Sequence, residues 1–236
     1  KTVVAALLCR RLRNAGIDAV PMKPVQTGAN RKGRRMAVPD LDLALAAAGV
    51  VPTSGELEHM APCCFEPPVS PHLAARLARR PIRIDRIAAA FEKLSAAHEF
   101  VIVEGAGGVF APLDERVFML DLMRTLQLPV IVVAHPGLGT INHTLLTLLA
   151  LQCAGLVVAG LVFNSPGRGV RGMSEVENAR FIQRRTGVSL ICSIPHHAAA
   201  IGMLRRGKIS AALNKAVPTV KVLLRMLNSA KTPSFL

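Results

Sequence analysis

The sequence predicts an α/β fold with three layers, in which helices cover both faces of a mostly parallel sheet. Segments with helical and strand patterns alternate along the 236 residues, and this alternation favours parallel strands joined by crossover helices. Hydrophobic residues make up 51% of the chain and aromatic residues only 3%, so the core has to be built from aliphatic side chains, as is typical of buried parallel strands. The length fits one α/β domain, and we expect a single domain over residues 1–236.

The first half of the chain contains more helix than strand. The predicted elements are a helix over 2–14, a strand over 19–22, a charged loop over 30–35, and helices over 40–48, 70–80 and 85–98. Gly16 and Gly49 follow two of these helices, and glycine is common at such helix ends. Ser70 and Pro71 are typical of an N-cap followed by proline in the first helical turn.

The second half contains most of the predicted strands. Apolar runs predict strands over 100–104, 130–134, 157–163 and 190–194, with helices over 117–126, 140–153 and 174–186 between them. Parallel sheets bind ligands beyond the carboxyl ends of their strands. The candidates for function are therefore the residues at or just after a strand end, namely Lys23, Glu104 to Gly108, His135 to Thr140, Asn164 and Pro195.

Charge and cysteine content limit the function classes. The formal net charge is +14, but the basic residues are scattered in pairs, as is typical of a solvated surface. The lack of Trp and Tyr argues against nucleic-acid binding by stacking, so we expect no nucleic-acid partner. Apolar runs are too interrupted for a membrane span and no signal peptide is recognised at the start, so we expect no membrane partner. The five cysteines lack C-x-x-C spacing, and reduced thiols in a cytoplasmic protein are the simplest interpretation.

Five residues suit the binding of phosphate and Mg²⁺. Lys1-Thr2 matches the last two positions of the motif G-x-x-x-x-G-K-[ST], in which the lysine contacts phosphates and the hydroxyl contacts Mg²⁺, although the dipeptide alone carries little information. Asp40, Asp42 and Glu104 are candidate Mg²⁺ carboxylates, because this ion prefers oxygen ligands and takes one or two protein carboxylates. Asp40 could equally cap the helix that follows it.

Lys23 and the glycines after Glu104 extend this set. The run Gly105-Ala-Gly-Gly108 would let the backbone approach a ligand closely, and a tight turn is the alternative. Lys23 would place an ammonium group where an anion binds, and an exposed lysine without function is the alternative. For Lys23 we expect an exposed side chain whose replacement leaves stability nearly unchanged. The seven histidines are interpreted as structural or surface residues.

Five sequence blocks, in order along the chain, resemble those of the dethiobiotin synthetase family. They are Lys23-Pro-Val-Gln-Thr-Gly28, Ser70-Pro-His72, Val103-Glu-Gly-Ala-Gly-Gly108, Gly139-Thr-Ile-Asn-His143 and Gly160-Leu-Val-Phe-Asn164. The resemblance extends from Lys1 to about Pro195 and is weak over 198–236. It implies a P-loop NTPase-like fold and an ATP-dependent ligase. Such an enzyme converts 7,8-diaminononanoate and CO₂ into dethiobiotin through a carbamate and a mixed carbamic–phosphoric anhydride, and releases ADP and phosphate.

The resemblance also implies a role for each matched residue. The implied catalytic residues are Lys23, Lys1 and Thr27. The implied ATP-binding residues are Lys1, Thr2, Glu104, Gly105, Gly107, Gly108, Asn164 and Pro195. The implied Mg²⁺ ligands are Thr2, Glu104 and either Asp40 or Asp42. The implied substrate-binding residues are Thr27, Thr140, Ile141 and Asn142, and the last three would hold the substrate carboxylate across the interface of a homodimer.

One departure from the family and two other functions remain to be weighed. The first strand of the family and the glycines of its phosphate loop have no counterpart from Lys1 onward. We therefore expect residues upstream of Lys1, because without that strand its neighbours would have unpaired edges. A related P-loop amidoligase, similar to cobyrinic acid a,c-diamide synthase, would share the fold but requires a source of ammonia. A ParA/MinD-like ATPase switch would use the basic surface, but it gives the blocks at Lys23 and Ser70 no obvious role.

Overall fold

The computed structural model describes residues 1–32, 35–165, 167, 173–230 and 232–233. The chain divides into two compact units. Unit 1 comprises Lys1–Leu126 and Ile201–Lys208, and unit 2 comprises Gln127–Ala200 and Ile209–Leu236. The single domain expected from the chain length stays a prediction. Within the described ranges, every helix is too short or too polar to cross a lipid bilayer.

Unit 1 alternates helices with short strands. In chain order it contains α1 (Thr2–Arg13), β1 (Ala19–Met22), β2 (Val25–Gln26), β3 (Asn30–Lys32), β4 (Arg35–Ala37), α2 (Pro39–Ala48), α3 (Ser54–Met60), β5 (Cys63–Cys64), α4 (Pro71–Leu77), α5 (Ile84–Ala97), β6 (Phe100–Val103) and α6 (Met119–Leu126). β1 pairs with β6 and β2 pairs with β5, both in parallel, whereas β3 and β4 are antiparallel. The core beneath the helices is aliphatic, as the composition predicts, with Met22, Leu41 and Ile87 among its fully buried side chains.

The first helix is held by its apolar face and by one basic side chain. The residues of α1 from Val4 to Cys9 are apolar and buried, as is Leu12, while its basic residues fall in the last turn, where they suit the negative end of the helix dipole. Arg10 donates to the carbonyl oxygens of Ala47 at 2.7 Å and Gly207 at 2.9 Å. It therefore ties α1 both to the end of α2 and to the segment that returns to unit 1.

Unit 2 is built on a three-stranded parallel sheet. It contains β7 (Val130–Ala134), α7 (Thr140–Cys153), β8 (Val158–Asn164), α8 (Met173–Thr186) and β9 (Leu190–Ile194), followed by α9 (Ala200–Leu204), α10 (Ala211–Ala216) and α11 (Val220–Asn228). The helix α9 starts in unit 2 and continues into unit 1. β8 lies between β7 and β9, and its residues from Val158 to Phe163 are all buried, as expected for a central parallel strand.

Gly160 allows close packing on this central strand. A Cβ atom at this position would lie 2.6 Å from Ile191 Cγ1 and 2.8 Å from Met226 Cε, closer than side chains can approach. The glycine therefore lets β9 and α11 pack directly against the middle of β8.

The α/β class with parallel strands is confirmed, and most elements lie where the sequence predicts them. The strands over 19–22, 130–134 and 190–194 and the helix over 140–153 have the predicted bounds. The helix predicted over 70–80 ends earlier, at Leu77. Arg79 adopts a left-handed φ of 50° there, and the Arg80 N–H donates to the Ala75 carbonyl at 3.0 Å, which closes the helix end.

The region over 30–35 differs from its prediction as a charged loop. Asn30 pairs with Ala37 in the antiparallel ladder of β3 and β4, so most of this region is a hairpin. Residues 33 and 34 lie outside the described ranges. The sequence analysis also did not predict β2, β5, α3 or the helices after residue 198.

Candidate active site

The carboxyl ends of β1 and β6 bring two predicted residues together in unit 1. The strands pair in parallel with Met22 opposite Val103, so Lys23 and Glu104 follow neighbouring strands at the same edge of the sheet. The Glu104 N–H donates to the Met22 carbonyl at 2.8 Å and keeps the two segments side by side. Parallel sheets bind ligands at this edge.

Lys23 is buried and surrounded by oxygen atoms. Its Nζ lies 2.8 Å from Asp40 Oδ2 and 3.0 Å from Glu104 Oε1, and it donates to the Gly105 carbonyl at 3.4 Å. The residue is only 4% exposed, so the expectation of an exposed lysine is wrong. The two carboxylates offset the free-energy cost of removing the ammonium from water. Lys23 is therefore a fixed positive charge at the strand end.

Glu104 connects this cluster to the start of α1. Thr2, the first residue of that helix, donates its hydroxyl to Glu104 Oε1 at 2.8 Å. The same oxygen accepts from Lys23 Nζ, and Glu104 is 8% exposed. Lys1 precedes the helix and is exposed. Because a hydroxyl and an ammonium both donate to one oxygen of Glu104, this carboxylate is held in one orientation.

Asp40 and Asp42 have different partners although both lie in the first turn of α2. The Asp42 carboxylate accepts the Val38 N–H at 3.0 Å and so caps the start of the helix. Asp40 instead turns its carboxylate to Lys23, and its side chain remains 31% exposed. Among the residues described, Asp40 is therefore the aspartate of this pair that joins the cluster of Thr2, Lys23 and Glu104.

The glycines after Glu104 form a turn rather than a helix or strand. Gly107 has a φ of 71°, and a Cβ atom there would lie 2.8 Å from Ala111 Cβ, so this position requires glycine. At Gly105 the side chain of Met119 lies 3.5 Å from the position of a Cβ atom. Gly108 has open space at its Cβ position. The turn therefore leaves backbone accessible next to the cluster.

The segment after Lys23 runs along β5 and contains one buried polar residue that the sequence analysis gave no role. Thr27 is half-buried, and Gly28 has a φ of 70° and donates its N–H to the Pro67 carbonyl at 3.2 Å. Gln26 is 6% exposed. In the sequence, the only indication of a role for Gln26 is its place between the apolar Val25 and the polar Thr27. Its burial could not be predicted from the sequence.

Unit 2 presents a second set of strand ends. Asn164 is the last residue of β8 and is half-buried, and Pro195 directly follows β9. The Ser165 N–H donates to the Ile194 carbonyl at 3.0 Å, so these two strand ends lie side by side. The structure thus brings Asn164 and Pro195 together within unit 2, as the strand order implies.

The start of α7 carries the three predicted carboxylate-binding residues. Gly139 precedes the helix with a φ of 89°, Thr140 is 1% exposed, and its hydroxyl lies 3.4 Å from that of Thr144. Ile141 is half-buried and Asn142 is exposed. The Thr140 side chain faces the interior, and its N–H donates to the Gly137 carbonyl at 3.1 Å. In this segment the Asn142 side chain and the N–H groups of Ile141 and Asn142 are thus available to a ligand.

A side chain of α8 forms a hydrogen bond with the turn before α7. Asn178 donates its amide to the Pro136 carbonyl at 3.0 Å, and the Gly137 N–H donates to His135 Nδ1 at 3.2 Å. These hydrogen bonds fix the backbone that leads into the helix start.

The three cysteines of unit 1 are poor nucleophiles. Burial raises the pKa of the Cys63 thiol and raises the pKa of Cys64 to about 11, so both are protonated near neutral pH. Burial likewise raises the pKa of Cys9 to about 12. The part of the chain that the structure describes also contains no group of three or more His, Cys, Asp or Glu side chains suited to a metal ion.

Comparison with solved structures identifies the fold. The chain is similar to the cell division ATPase MinD of Pyrococcus furiosus, with a TM-score of 0.58 and 16% identity, over 96% of this chain and 91% of the other. It is similar to a ParA family ATPase of Chlorobium tepidum, with a TM-score of 0.55 and 13% identity, over 96% and 92% of the two chains. At these identities the similarity shows a P-loop NTPase-like fold and carries no argument about function.

Comparison of sequences identifies the family. A family model described as an AAA domain matches residues 1–202. The chain is 45% identical to the ATP-dependent dethiobiotin synthetase BioD of Anaeromyxobacter dehalogenans, over 71% of this chain and 72% of that protein. It is 37% identical to the synthetase of Anoxybacillus flavithermus, over 83% and 86% of the two chains, and 39% identical to that of Aromatoleum aromaticum, over 85% and 87%. The chain belongs to the family of ATP-dependent dethiobiotin synthetases.

Proposed function

We propose that this chain closes the ureido ring of dethiobiotin, using ATP, 7,8-diaminononanoate and CO₂. One amine of the substrate takes up CO₂ and becomes a carbamate. A carbamate oxygen then accepts the γ-phosphoryl group of ATP, and ADP leaves. The second amine attacks the carbonyl carbon of the resulting carbamic–phosphoric anhydride, and phosphate leaves as the ring closes. The observation that carries this proposal is the cluster of Thr2, Lys23, Asp40 and Glu104.

Lys23 is proposed to stabilise the charge that develops during phosphoryl transfer. This reaction depends on positioning and on charge neutralisation more than on covalent chemistry by the protein. The ammonium is held by Asp40 and Glu104, so it does not have to be ordered when substrates bind. Thr27 lies four residues further along and is proposed to hydrogen-bond the carbamate or the diamine. Lys1 and the turn at Gly105, Gly107 and Gly108 are proposed to contact phosphates.

Mg²⁺ fits the oxygen atoms of the same cluster. Two carboxylates, Asp40 and Glu104, face one ammonium, which leaves a negative charge that a cation can balance. The Thr2 hydroxyl donates a hydrogen bond to Glu104, so the lone pairs of its oxygen remain available to an ion. Mg²⁺ commonly uses one or two carboxylates together with phosphate oxygens. We therefore assign Thr2, Asp40 and Glu104 as its ligands, and the bound ion would neutralise charge on the phosphates.

The remaining roles belong to unit 2. Asn164 is proposed to recognise the adenine, and Pro195 to lie against the nucleotide. The start of α7 from Thr140 to Asn142 is proposed to hold the substrate carboxylate, because the N-terminus of a helix attracts anions. The Thr140 side chain faces the interior and its N–H donates to Gly137, so the contacts assigned to this segment are those of the Ile141 and Asn142 N–H groups and of the exposed Asn142 side chain.

A homodimer is proposed as the active form, and the outer face of α7 supports it. Leu146 and Leu149 are exposed on this helix, and Leu138 is exposed just before it. Such an apolar stripe is typical of a protein interface. A second copy of the chain, bound to this face, would bring its own residues to the carboxylate site.

The cysteines support a reducing, cytoplasmic location, because all five thiols are free. We propose no nucleic-acid or membrane partner.

The two other functions are less well supported. An amidoligase similar to cobyrinic acid a,c-diamide synthase needs ammonia, whereas the relatives of this chain at 37–45% identity are dethiobiotin synthetases. The similarity to MinD and ParA concerns the fold, and a switch of that kind gives Thr27 and its segment no task.

The decisive experiment measures ADP release. We expect release that depends on both 7,8-diaminononanoate and bicarbonate, with dethiobiotin formed in equal amount. Ammonia-dependent turnover without the diamine would favour the amidoligase, whereas turnover stimulated by duplex DNA or a protein partner would favour the switch.

A further inference from the structure

Gln26 is a buried glutamine with a fixed orientation. It lies in β2 and is 6% exposed, between Lys23 and Thr27 along the chain. Its side-chain Nε2 donates to the Thr27 carbonyl at 2.6 Å. The opposite amide orientation would bring two oxygen atoms to that distance, and two acceptors repel each other. The side-chain oxygen is therefore turned away from Thr27.

The side-chain oxygen of Gln26 has no donor among the residues described. Oε1 is buried, and within these ranges no N–H or O–H group lies within hydrogen-bonding distance of it. A buried acceptor without a partner costs about tenfold or more in the folding equilibrium constant, so native proteins seldom keep one without reason. The arrangement suits a donor that arrives with a ligand.

The proposed substrate supplies such a donor. Its two amines carry N–H groups, and the nitrogen of the carbamate retains one. The carboxylates of Asp40 and Glu104, in the same unit, are already paired with Lys23 and Thr2. A neutral amide oxygen is also better suited than a carboxylate, because a carboxylate would favour the protonated amine, which cannot attack CO₂.

We propose that Gln26 Oε1 accepts a hydrogen bond from an amine of the diamine substrate and so helps to select it. This inference rests on the proposed function, because it assigns a partner to one residue of the same substrate segment. Gln26 would thus act beside Lys23 and Thr27 by recognising nitrogen rather than oxygen. The hydrogen bond would form only when the substrate is bound.

The test replaces Gln26 with methionine, which has a similar length and lacks the acceptor. We expect the KM for diaminononanoate to rise by about tenfold, since a hydrogen bond to a buried acceptor is lost. The KM for ATP should stay within about twofold. The melting temperature of the ligand-free enzyme should change by no more than about 2–4 °C, because the removal of an unsatisfied buried oxygen offsets the loss of the hydrogen bond from Nε2 to the Thr27 carbonyl.

Two further measurements separate recognition from a structural role. Gln183→Met, an exposed glutamine in α8, should change neither KM nor melting temperature. Two monoamine analogues of the substrate, each lacking one amine, complete the test. Removing the amine that contacts Gln26 should weaken binding to the parent more than binding to Gln26→Met. The analogue without that amine should therefore bind both proteins with nearly equal affinity.

Three results would overturn the inference. The first is an unchanged KM for the diamine. The second is that both monoamine analogues lose the same binding affinity, relative to the diamine, in the parent and in Gln26→Met. The third is a Gln26→Met protein that is unfolded or whose melting temperature falls by more than about 4 °C. A parent enzyme without diamine-dependent ADP release would instead reject the proposed function itself, so the two failures are distinguishable.

Discussion

Lys23 and its carboxylate partners show how much a single side chain depends on its surroundings. A lysine on the surface contributes little to folding, but this one lies 2.8 Å and 3.0 Å from two carboxylate oxygens inside the protein. Removing the ammonium would leave Asp40 and Glu104 facing each other without a positive charge between them. Its replacement should therefore affect both catalysis and stability.

We expect Lys23→Met to lower turnover by about 10² or more, the usual effect of losing a preorganised charge in an active site. The free energy of unfolding should also fall, by about 3 kcal/mol, because one partner of a buried ion pair is lost. ADP release at saturating substrates, corrected for the folded fraction by circular dichroism, measures the catalytic part. Lys93→Met, an exposed lysine of α5, is the matched control and should behave as the parent. Activity of Lys23→Met within about twofold of the parent would reject the catalytic role.

Sequence reasoning at this scale finds residue types and strand ends better than it finds contacts. Lys23 and Glu104 are predictable as neighbours because parallel strands end at the same edge. The choice between Asp40 and Asp42 is not predictable in this way. It depends on which of the two carboxylates accepts the Val38 N–H at the start of α2, and in the structure this is Asp42. The burial of Lys23 is not predictable either, because it results from the packing of segments that are distant in the sequence.

Among the helices and strands, one junction of unit 1 is held by polar side chains. His98 at the end of α5 has Nδ1 2.8 Å from Asp18 Oδ2, just before β1, and Nε2 3.4 Å from Glu56 Oε1 in the first turn of α3. The hydrogen bond from His98 is the main cause that lowers the pKa of the Asp18 carboxyl, and Arg13 contributes to the same effect. This junction joins three elements around one imidazole ring.

We expect this junction to contribute to stability above about pH 4 and to fail in acid. The pKa of Asp18 is lower in the folded protein than its ordinary value near 3.9, so its contribution is complete above that value and is lost as the pH falls through the folded-state pKa. Asp18→Asn should therefore be less stable than the parent at pH 7, and the difference should shrink below about pH 4. Urea unfolding between pH 3 and 7 measures it. Glu115→Gln, which changes an exposed carboxylate, is the control, and a difference that grows in acid would contradict this account.

Long elements are easier to predict than short ones, for physical reasons. α7 has enough turns to show its periodicity, whereas β2 and β5 have two residues each and exist because Val25 and Gln26 pair with Cys63 and Cys64. A pairing between distant segments leaves no local pattern. The short α3 did carry a signal, because Thr53 and Glu56 form a capping box in which each side chain accepts the other's backbone N–H.

For the molecule as a whole, assembly with a second copy is the main open prediction. We expect light scattering to give twice the monomer mass, with the leucines of α7 at the interface. Leu146→Glu together with Leu149→Glu should give a monomer that keeps ATP binding but loses most diamine turnover, because the carboxylate site would lack its partner. Leu77→Glu changes an equally exposed leucine of α4 and should remain dimeric. A fully active monomeric parent would reject the dimer.

The family could be predicted from five short blocks because each lies at a strand end or a helix start, where chemistry limits the residue type. The division into two compact units could not be predicted in this way. It assigns the distant segment Ile201–Lys208 to unit 1, and Arg10 of unit 1 binds this segment through the Gly207 carbonyl. That contact joins segments almost 200 residues apart, and nothing in the local sequence of either segment indicates it.

The burial of the Lys23–Glu104 pair has a consequence for how the enzyme responds to dissolved salt. Its two side chains are 6% and 8% exposed, so counterions have little access to them, whereas the Arg83–Asp85 pair is open to solvent. At about 0.1 M salt, mobile ions screen exposed charges over roughly 10 Å, but they screen buried pairs much less. Rising ionic strength should thus weaken surface pairs while the electric field at Lys23 changes little. The reacting groups would experience nearly the same field in dilute and in concentrated salt.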